Sequence, residues 1–378
     1  MTEETTALLR EIASYRDRDP EDARMLPPEV YLTDELFEFE MEHIFRREWI
    51  LVGREEQARD PGDYFTTDLL EEPLLIARGA DQQLRAFSNI CRHRYMRVAE
   101  ASGNARLFVC PYHKWSYDLE GKLRAAPGME GNTTFDAKSC RLPEVRVEAW
   151  EGFVFVNLDD DAEPLRPKLQ SFSDHFREFG IEKWKTIAWY DEVWEGNWKL
   201  TCENGLDSYH HMGLHWKTAE PFMPALGTRF AEAHAQWNYH RTPILPEKAR
   251  EVGMGDDRFF EGLRPDQADA LNSTFVYPNV VVGFVPGQSI WLSAIPIDRT
   301  HTRIISSYTV PTEFADDAEI RATAESYLRE LNTEDAEATW RLQEVLASQR
   351  IERGPIGVRE RGVYHFYQYL ARMLPSPD

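Results

Sequence analysis

Cys91-Arg92-His93 and, after sixteen intervening residues, Cys110-Pro111-Tyr112-His113 are two short pairs that each join a cysteine to a histidine. Four such ligands suit an unsymmetrical [2Fe–2S] cluster, with one iron held by both thiolates and the other by both imidazoles. Replacing two anionic thiolates by neutral imidazoles lowers the negative charge on the cluster and raises its reduction potential, which suits a one-electron relay. A Cys2His2 zinc site would use the same residue types, but its pairs usually separate the cysteines from the histidines, whereas each pair here mixes them. Both pairs fall where β-hairpin turns are expected, after the apolar runs Leu84 to Ile90 and Leu107-Phe108-Val109.

A second stretch, Asn197 to His215, carries Asp207, His210, His211 and His215. His210 and His215 are five apart, a slightly overwound helical spacing that brings two imidazoles to one metal if the helix loosens at Gly213. Two histidines and one carboxylate make the facial triad of non-heme Fe(II) oxygenases, with the remaining positions open to O2. Asp207, three residues before His210, shares its helix face and is placed to orient that ring. His211 lies about 100° round a helix from His210, so it is expected to point away and serve packing or support.

Cys91-Arg92-His93-Arg94, Cys110-Pro111-Tyr112-His113, the following Trp115 to Gly121 and the downstream His210/His215 motif resemble the Rieske non-heme iron oxygenases. The likeness is to the terminal oxygenase α subunits of the aromatic-ring-hydroxylating type. It implies that the iron's carboxylate comes from a late helix beginning with an acidic pair, here Asp335, with Glu334 as the rival. It implies that Asp207 joins His210 to His113 of a neighbouring chain, so that electrons cross between subunits. A head-to-tail contact of that kind closes into a ring, and a homotrimer is the smallest common one. A β subunit is left open. The resemblance also implies a helix-grip catalytic domain, and electrons from NAD(P)H delivered by a separate reductase, with or without a ferredoxin.

The 378 residues, 42% hydrophobic and 12% aromatic, can bury a large core and form two or three domains. A net charge of −22 with no contiguous basic stripe argues against nucleic acid or an anionic membrane as partner. Met1 to Thr6 shows no basic region leading into an apolar segment, and no apolar run reaches membrane-spanning length, so a cytoplasmic protein is expected. Cys140 and Cys202 read as buried thiols without a disulfide.

The fold class read from the chain is α+β. Residues 1–40 are a helical entry segment that packs with the catalytic domain, 41–160 a β-rich cluster domain, and 161–378 the catalytic domain. Strands are expected at Trp49–Gly53, Leu74–Arg78, Leu84–Asn89, Leu107–Val109, Val145–Ala149 and Phe153–Asn157. In the catalytic half a strand at Ile187–Trp194 precedes the iron-motif helix. A segment of no clear periodicity, about Pro221 to Leu271, then leads to a three-strand meander, Phe275–Val285, Ser289–Pro296 and Thr302–Val310. A long amphipathic helix runs from Ile320 to Leu346.

A relay cluster beside an iron with open positions points to an oxygenase that takes its electrons from partner proteins, since no Gly-x-Gly-x-x-Gly fingerprint is present for a dinucleotide. The expected reaction is hydroxylation of an aromatic or similarly apolar small molecule, with oxidative N- or O-demethylation, quaternary ammonium substrates included, as the alternative. Two readings from other classes are an electron carrier without catalytic iron and a zinc-binding module. Phe222, Met223, Trp237, Tyr239, Phe275, Phe284 and Trp291 are the candidate pocket walls, because they follow the iron motif or lie on the later strands. Aromatic walls would suit a planar ring, or a quaternary ammonium through cation–π contact.

Overall fold

Apolar and β-branched runs punctuated by Gly, Pro and Asp make short strands in both halves of the chain. The computed structural model describes residues 1–245, 247–248 and 262–376. It divides into two units, Arg46–Arg166 and Met1–Phe45 with Pro167–Asp378. The division falls a few residues beyond the 40/41 and 160/161 read from the sequence. At the first of these the helix Asp34–Glu40 runs on through a π-helical turn, Met41–Phe45, whose Phe45 meets Trp198 edge-on with ring centres 4.9 Å apart.

The Arg46–Arg166 unit carries β1 (Ile50–Arg54), β2 (Asp63–Leu69), β3 (Glu72–Arg78), β4 (Leu84–Ser88), β5 (Ser102–Asn104), β6 (Phe108–Val109), β7 (Ser116–Tyr117), β8 (Leu123–Ala125), β9 (Glu144–Trp150) and β10 (Phe153–Asn157). Seven of them form one sheet in the order β1-β10-β9-β4-β3-β2-β5, and β6-β7-β8 form a second. β2 escaped the sequence reading because Thr67 interrupts the apolar alternation of its inner residues Phe65 and Leu69, although all three are buried. Gly121 turns the chain between β7 and β8 at φ 76°, and a Cβ there would lie 2.7 Å from the Phe87 ring.

The other unit is built on a seven-stranded antiparallel sheet. Its strands are β11 (Trp184–Glu195), β12 (Arg229–Phe230), β13 (Trp237–Pro243), β14 (Ala270–Val276), β15 (Val280–Val285), β16 (Gln288–Asp298) and β17 (His301–Pro311), in the order β11-β17-β16-β15-β14-β13-β12. What reads as one strand over Phe275–Val285 is two, because the chain turns at Tyr277-Pro278-Asn279 and β14 pairs back against β15. The helices Trp198–Asn204, Ala318–Val345 and Arg361–Met373 pack with this sheet, completing the α+β architecture. The N-terminal helix Glu3–Ala13 packs on the C-terminal helix, where Arg353 pairs with Glu11 at 2.7 Å and Tyr15 meets Tyr367 edge-on.

Register decides which side chains share a face. The pairs Asn238↔Phe275, Ser273↔Gly283, Gly283↔Ile290 and Ile290↔Tyr308 put these residues on one side. Trp237, Tyr239, Phe284 and Trp291 fall on the other.

Candidate active site

The two cysteine–histidine loops are built alike. Cys91 N–H donates to the Met96 carbonyl, and Cys110 N–H to the Trp115 carbonyl, both at 2.8 Å. Four residues after each cysteine a side-chain-bearing residue takes positive φ, Tyr95 at 63° and Lys114 at 61°, and its N–H returns to the cysteine carbonyl. These turns bring the imidazoles of His93 and His113 to 4.6 Å between ring centres, while His93 stacks on Trp115 at 4.9 Å. Cys91 and Cys110 are buried free thiols in the core of this unit, and burial pushes the Cys91 thiol up. His93 Nδ1 is buried without a hydrogen-bond partner among the described residues. Two adjacent thiols and an orphaned imidazole nitrogen fit a bound metal cluster, which would turn thiols into thiolates and give the lone pair its acceptor.

Tyr117 belongs with this set although sequence reasoning did not single it out. Its hydroxyl accepts from Arg92 N–H at 3.0 Å and lies 3.4 Å from Cys91 Sγ, so its one proton is left for the sulfur. Only the folded structure shows this, since Tyr117 lies 26 residues from Cys91 in the chain.

In the other unit the iron motif is not one continuous helix. The helix ends at Asn204, and a separate 3-10 turn, Tyr209–Met212, follows, just before which Asp207 accepts the His210 N–H at 3.1 Å. The same Asp207 Oδ1 lies 3.2 Å from His210 Nδ1, which leaves the far nitrogen of that ring for a metal. Metal-binding atoms of His210, His215 and Asp335 lie within 4.8 Å of one another. Asp335 comes from the middle of the helix Ala318–Val345, rather than its start, and its Oδ1 sits 3.0 Å from His215 Nε2 and accepts from Asn204 Nδ2 at 2.7 Å.

Glu334 takes the opposite side of the same imidazole. His215 Nδ1 meets Glu334 Oε2 at 2.6 Å, and Thr218 donates to that oxygen at 2.6 Å. This fixes which nitrogen of His215 carries the proton and turns the other toward Asp335. Burial disfavours a charged His215, but the hydrogen bonds and charges of Asp335 and Glu334 outweigh it and raise its pKa. Three carboxylates converging on two histidines favour a cation, and two nitrogens with one oxygen suit Fe(II).

His211 does not point away from this site. The 100° rule of a regular helix fails in the tighter turn, and its ring centre lies 4.9 Å from that of His210 and 5.5 Å from that of His215. Burial holds it neutral, against a smaller opposing pull from the Met223 backbone.

A cavity of about 150 Å³ opens beside the triad, lined by Asp207, His210, His211, His215 and Asp335 and by Ala219, Met223, Leu271, Val281, Val285, Ile290, Tyr308 and Tyr327. Of the seven expected wall residues only Met223 lines it. Trp237, Tyr239 and Phe284 lie on the opposite sheet face, in an aromatic layer with Phe172 and Phe176; the Phe176 and Phe284 rings are 5.0 Å apart. Trp291 packs there on Trp189. Phe275 is on the cavity face but further along its strand, against Phe366 of the C-terminal helix, and Phe222 is buried beside Met223 without reaching the cavity. The nearest aromatic residues by sequence thus build the core, and the cavity takes the small and aliphatic positions between them.

Residues 48–143 match the Rieske [2Fe-2S] domain family, and residues 181–376 match the ring hydroxylating alpha subunit (catalytic domain) family. The chain belongs to the ring-hydroxylating α subunits of the Rieske oxygenases. Among the relatives of this oxygenase, the carnitine monooxygenase oxygenase subunit of Escherichia coli (strain K12) is 26% identical over 370 residues, covering 94% of this chain and 95% of that protein. Benzene 1,2-dioxygenase subunit alpha of Pseudomonas putida is 35% identical over 207 residues, 51% of this chain and 44% of that protein. A quaternary ammonium Rieske monooxygenase crystal structure superposes with a TM-score of 0.83 at 24% identity, over 94% of this chain and 97% of that one. Naphthalene 1,2-dioxygenase from Rhodococcus superposes with 0.82 at 20% identity, over 99% and 98%. The oxygenase is a non-heme iron enzyme that uses a [2Fe–2S] cluster, mononuclear iron and O2. The readings as an electron carrier without catalytic iron and as a zinc module fall away with it.

Proposed function

We propose that Cys91, His93, Cys110 and His113 hold the cluster, that His210, His215 and Asp335 hold Fe(II), and that this oxygenase hydroxylates an uncharged, mainly apolar small molecule. The cavity wall carries the substrate reading. Beside the triad it is mostly aliphatic, and among the described residues no Lys or Arg lines it. A substrate carboxylate would therefore face Asp207 with no Lys or Arg side chain to pair with and only the iron, already held by Asp335, as a cation, which disfavours zwitterions such as carnitine. When bound, the cluster relays single electrons and the iron activates O2.

The chain's own residues do the positioning. Asp207 sets the tilt of His210, Glu334 sets the tautomer of His215, and Asn204 restrains one oxygen of Asp335. Met223, Val281, Ile290 and their neighbours exclude water and press an apolar body toward the open side of the triad. Electrons come from NAD(P)H through a separate reductase, with or without a ferredoxin, and pass between subunits of a homotrimer by way of Asp207 and His113 of the partner subunit. The oxygenase and that reductase would meet in the cytoplasm; no helix among the described residues is long and apolar enough to cross a membrane.

The second reading, oxidative demethylation of a methylated amine or aryl ether, is favoured by the nearly full-length likeness to the carnitine enzyme. Product analysis by mass spectrometry decides between them, with a generic reductase supplied and a panel of aromatics, aryl ethers and methylated amines. Hydroxylated arenes support the first reading, formaldehyde release supports the second, and turnover of carnitine itself would overturn the argument from the cavity wall.

A further inference from the structure

Beyond Asp335 lies a second, smaller compartment of about 90 Å³, which shares Asn204, Gly205, Val281, Ile290, Leu331 and Asp335 with the main cavity and adds Thr201 and Ser306 to its wall. Resting on the oxygenase reading above, we propose that this compartment is a substrate subsite for a neutral acceptor oxygen, a ketone or ester carbonyl.

Thr201 and Ser306 carry the argument. Both are essentially buried, at 2% and 0% exposure, and neither Thr201 Oγ1 nor Ser306 Oγ has a hydrogen-bond partner among the described residues. Thr201 lies on the helix Trp198–Asn204 three and four residues before Asn204 and Gly205, so all three face one way, toward the shared wall. Ser306 pairs with Leu292, which lines the same compartment, and two residues along it shares its sheet face with Tyr308 of the main cavity. Two different elements thus bring one hydroxyl each to the same small space.

A buried hydroxyl without a partner loses its hydrogen bonds to water and gains nothing in return. Each of these can donate a proton, and two unpartnered donors lining one space match the two lone pairs of one carbonyl oxygen. Water would also satisfy them. The rest of the wall argues for a ligand group instead: the amide N–H groups of Asn204 and Asn332 are engaged by Asp335 and by the Leu328 carbonyl, Trp194, Val281, Ile290, Leu292 and Leu331 are apolar, and the space continues the substrate cavity. A substrate would rest its hydrocarbon body against Val281 and Ile290 and reach past Asp335 with its oxygen.

The test is equilibrium calorimetric titration of the resting enzyme, without reductant, with two compounds of nearly the same shape, 1-indanone and indane. The wild type should bind the ketone about tenfold more tightly, as two hydrogen bonds of modest net strength predict. In Thr201→Val/Ser306→Ala that ratio should fall to about one through weaker ketone binding, while Thr201→Ser, which keeps the hydroxyl, retains the preference. If the double variant loses the cluster's visible spectrum, Thr201→Val and Ser306→Ala singly should each lower the ratio. Equal affinities in the wild type, or a preference that survives the loss of both hydroxyls, would show that the compartment holds only water and overturn the proposal. Oxygen uptake with the substrate panel reports on the oxygenase reading separately, because this titration involves no turnover.

Discussion

Glu334 Oε2 lies 2.6 Å from His215 Nδ1, on the side of the imidazole turned away from Asp335. In the proposed site, adjacent acids of one helix therefore do different work, one reaching the metal and the other aligning a ligand. Asp335→Ala should lose the mononuclear iron and all oxygenase activity while keeping the cluster's visible spectrum. Glu334→Gln should keep the site but weaken its iron affinity by about 10- to 100-fold, the usual effect of losing a partner behind a metal-bound histidine. Iron analysis after graded chelation separates the two; equal iron loss in both variants would contradict this division.

Asp207 holds His210 through both its backbone N–H and its ring. Asp207→Asn should leave both metal sites largely occupied and slow electron transfer to the iron by orders of magnitude. In rapid-mixing spectroscopy the reduced variant, given substrate and O2, should fail to reoxidise its cluster at the wild-type rate. Wild-type reoxidation, or an active protein that sediments as a monomer, would refute the relay between subunits.

The Tyr117 hydroxyl lies 3.4 Å from Cys91 Sγ, and toward a cluster-bound thiolate it can only donate, a hydrogen bond that would stabilise the more negative, reduced cluster. Tyr117→Phe should lower the reduction potential by about 40 mV, the equivalent of roughly 1 kcal/mol for one electron. Potentiometric titration of the cluster's visible bands checks the direction, and an unchanged or higher potential would exclude that hydrogen bond.

Glu203 is buried and accepts from Tyr31 at 2.7 Å and Tyr367 at 3.0 Å, tying the motif helix to the N-terminal segment and the C-terminal helix. Burial pushes its pKa up to about 7, against the pull of the two tyrosine hydrogen bonds and of Lys199. Because the folded pKa is raised, its stabilising effect is fully present below the unfolded value near 4.5 and is lost as pH rises through about 7. The loss is on the order of 3 kcal/mol. Glu203→Gln, which resembles the protonated acid, should match the wild type in melting temperature near pH 5 and exceed it near pH 8. A wild type whose melting temperature holds level or rises across that range relative to the variant would contradict the raised pKa.

The ligand types and their short spacings were legible in the chain because metal chemistry restricts them. Cys91/His93, Cys110/His113 and His210/His215 are local pairs whose residue types and spacing limit what they can bind. Asp335, by contrast, is 120 residues from His215, and only the packing of the helix Ala318–Val345 against the turn that carries His215 brings it to 3.0 Å. The same packing puts Asp335 and Glu334 on opposite nitrogens of the His215 ring. His211 was misread because a periodicity argument assumes a regular helix, and that helix ends at Asn204, before the histidines, which follow in a 3-10 turn and the loop after it.

By itself the sequence determined the two metal chemistries and the order of the domains, since these depend on residue types and on runs of local periodicity. The tertiary structure alone decided the cavity wall. A strand shows alternate residues to opposite faces, so whether Phe284 or its neighbours Gly283 and Val285 meet the substrate depends on which face the helices carrying the iron ligands cover, and that is a property of the packed sheet rather than of any single strand.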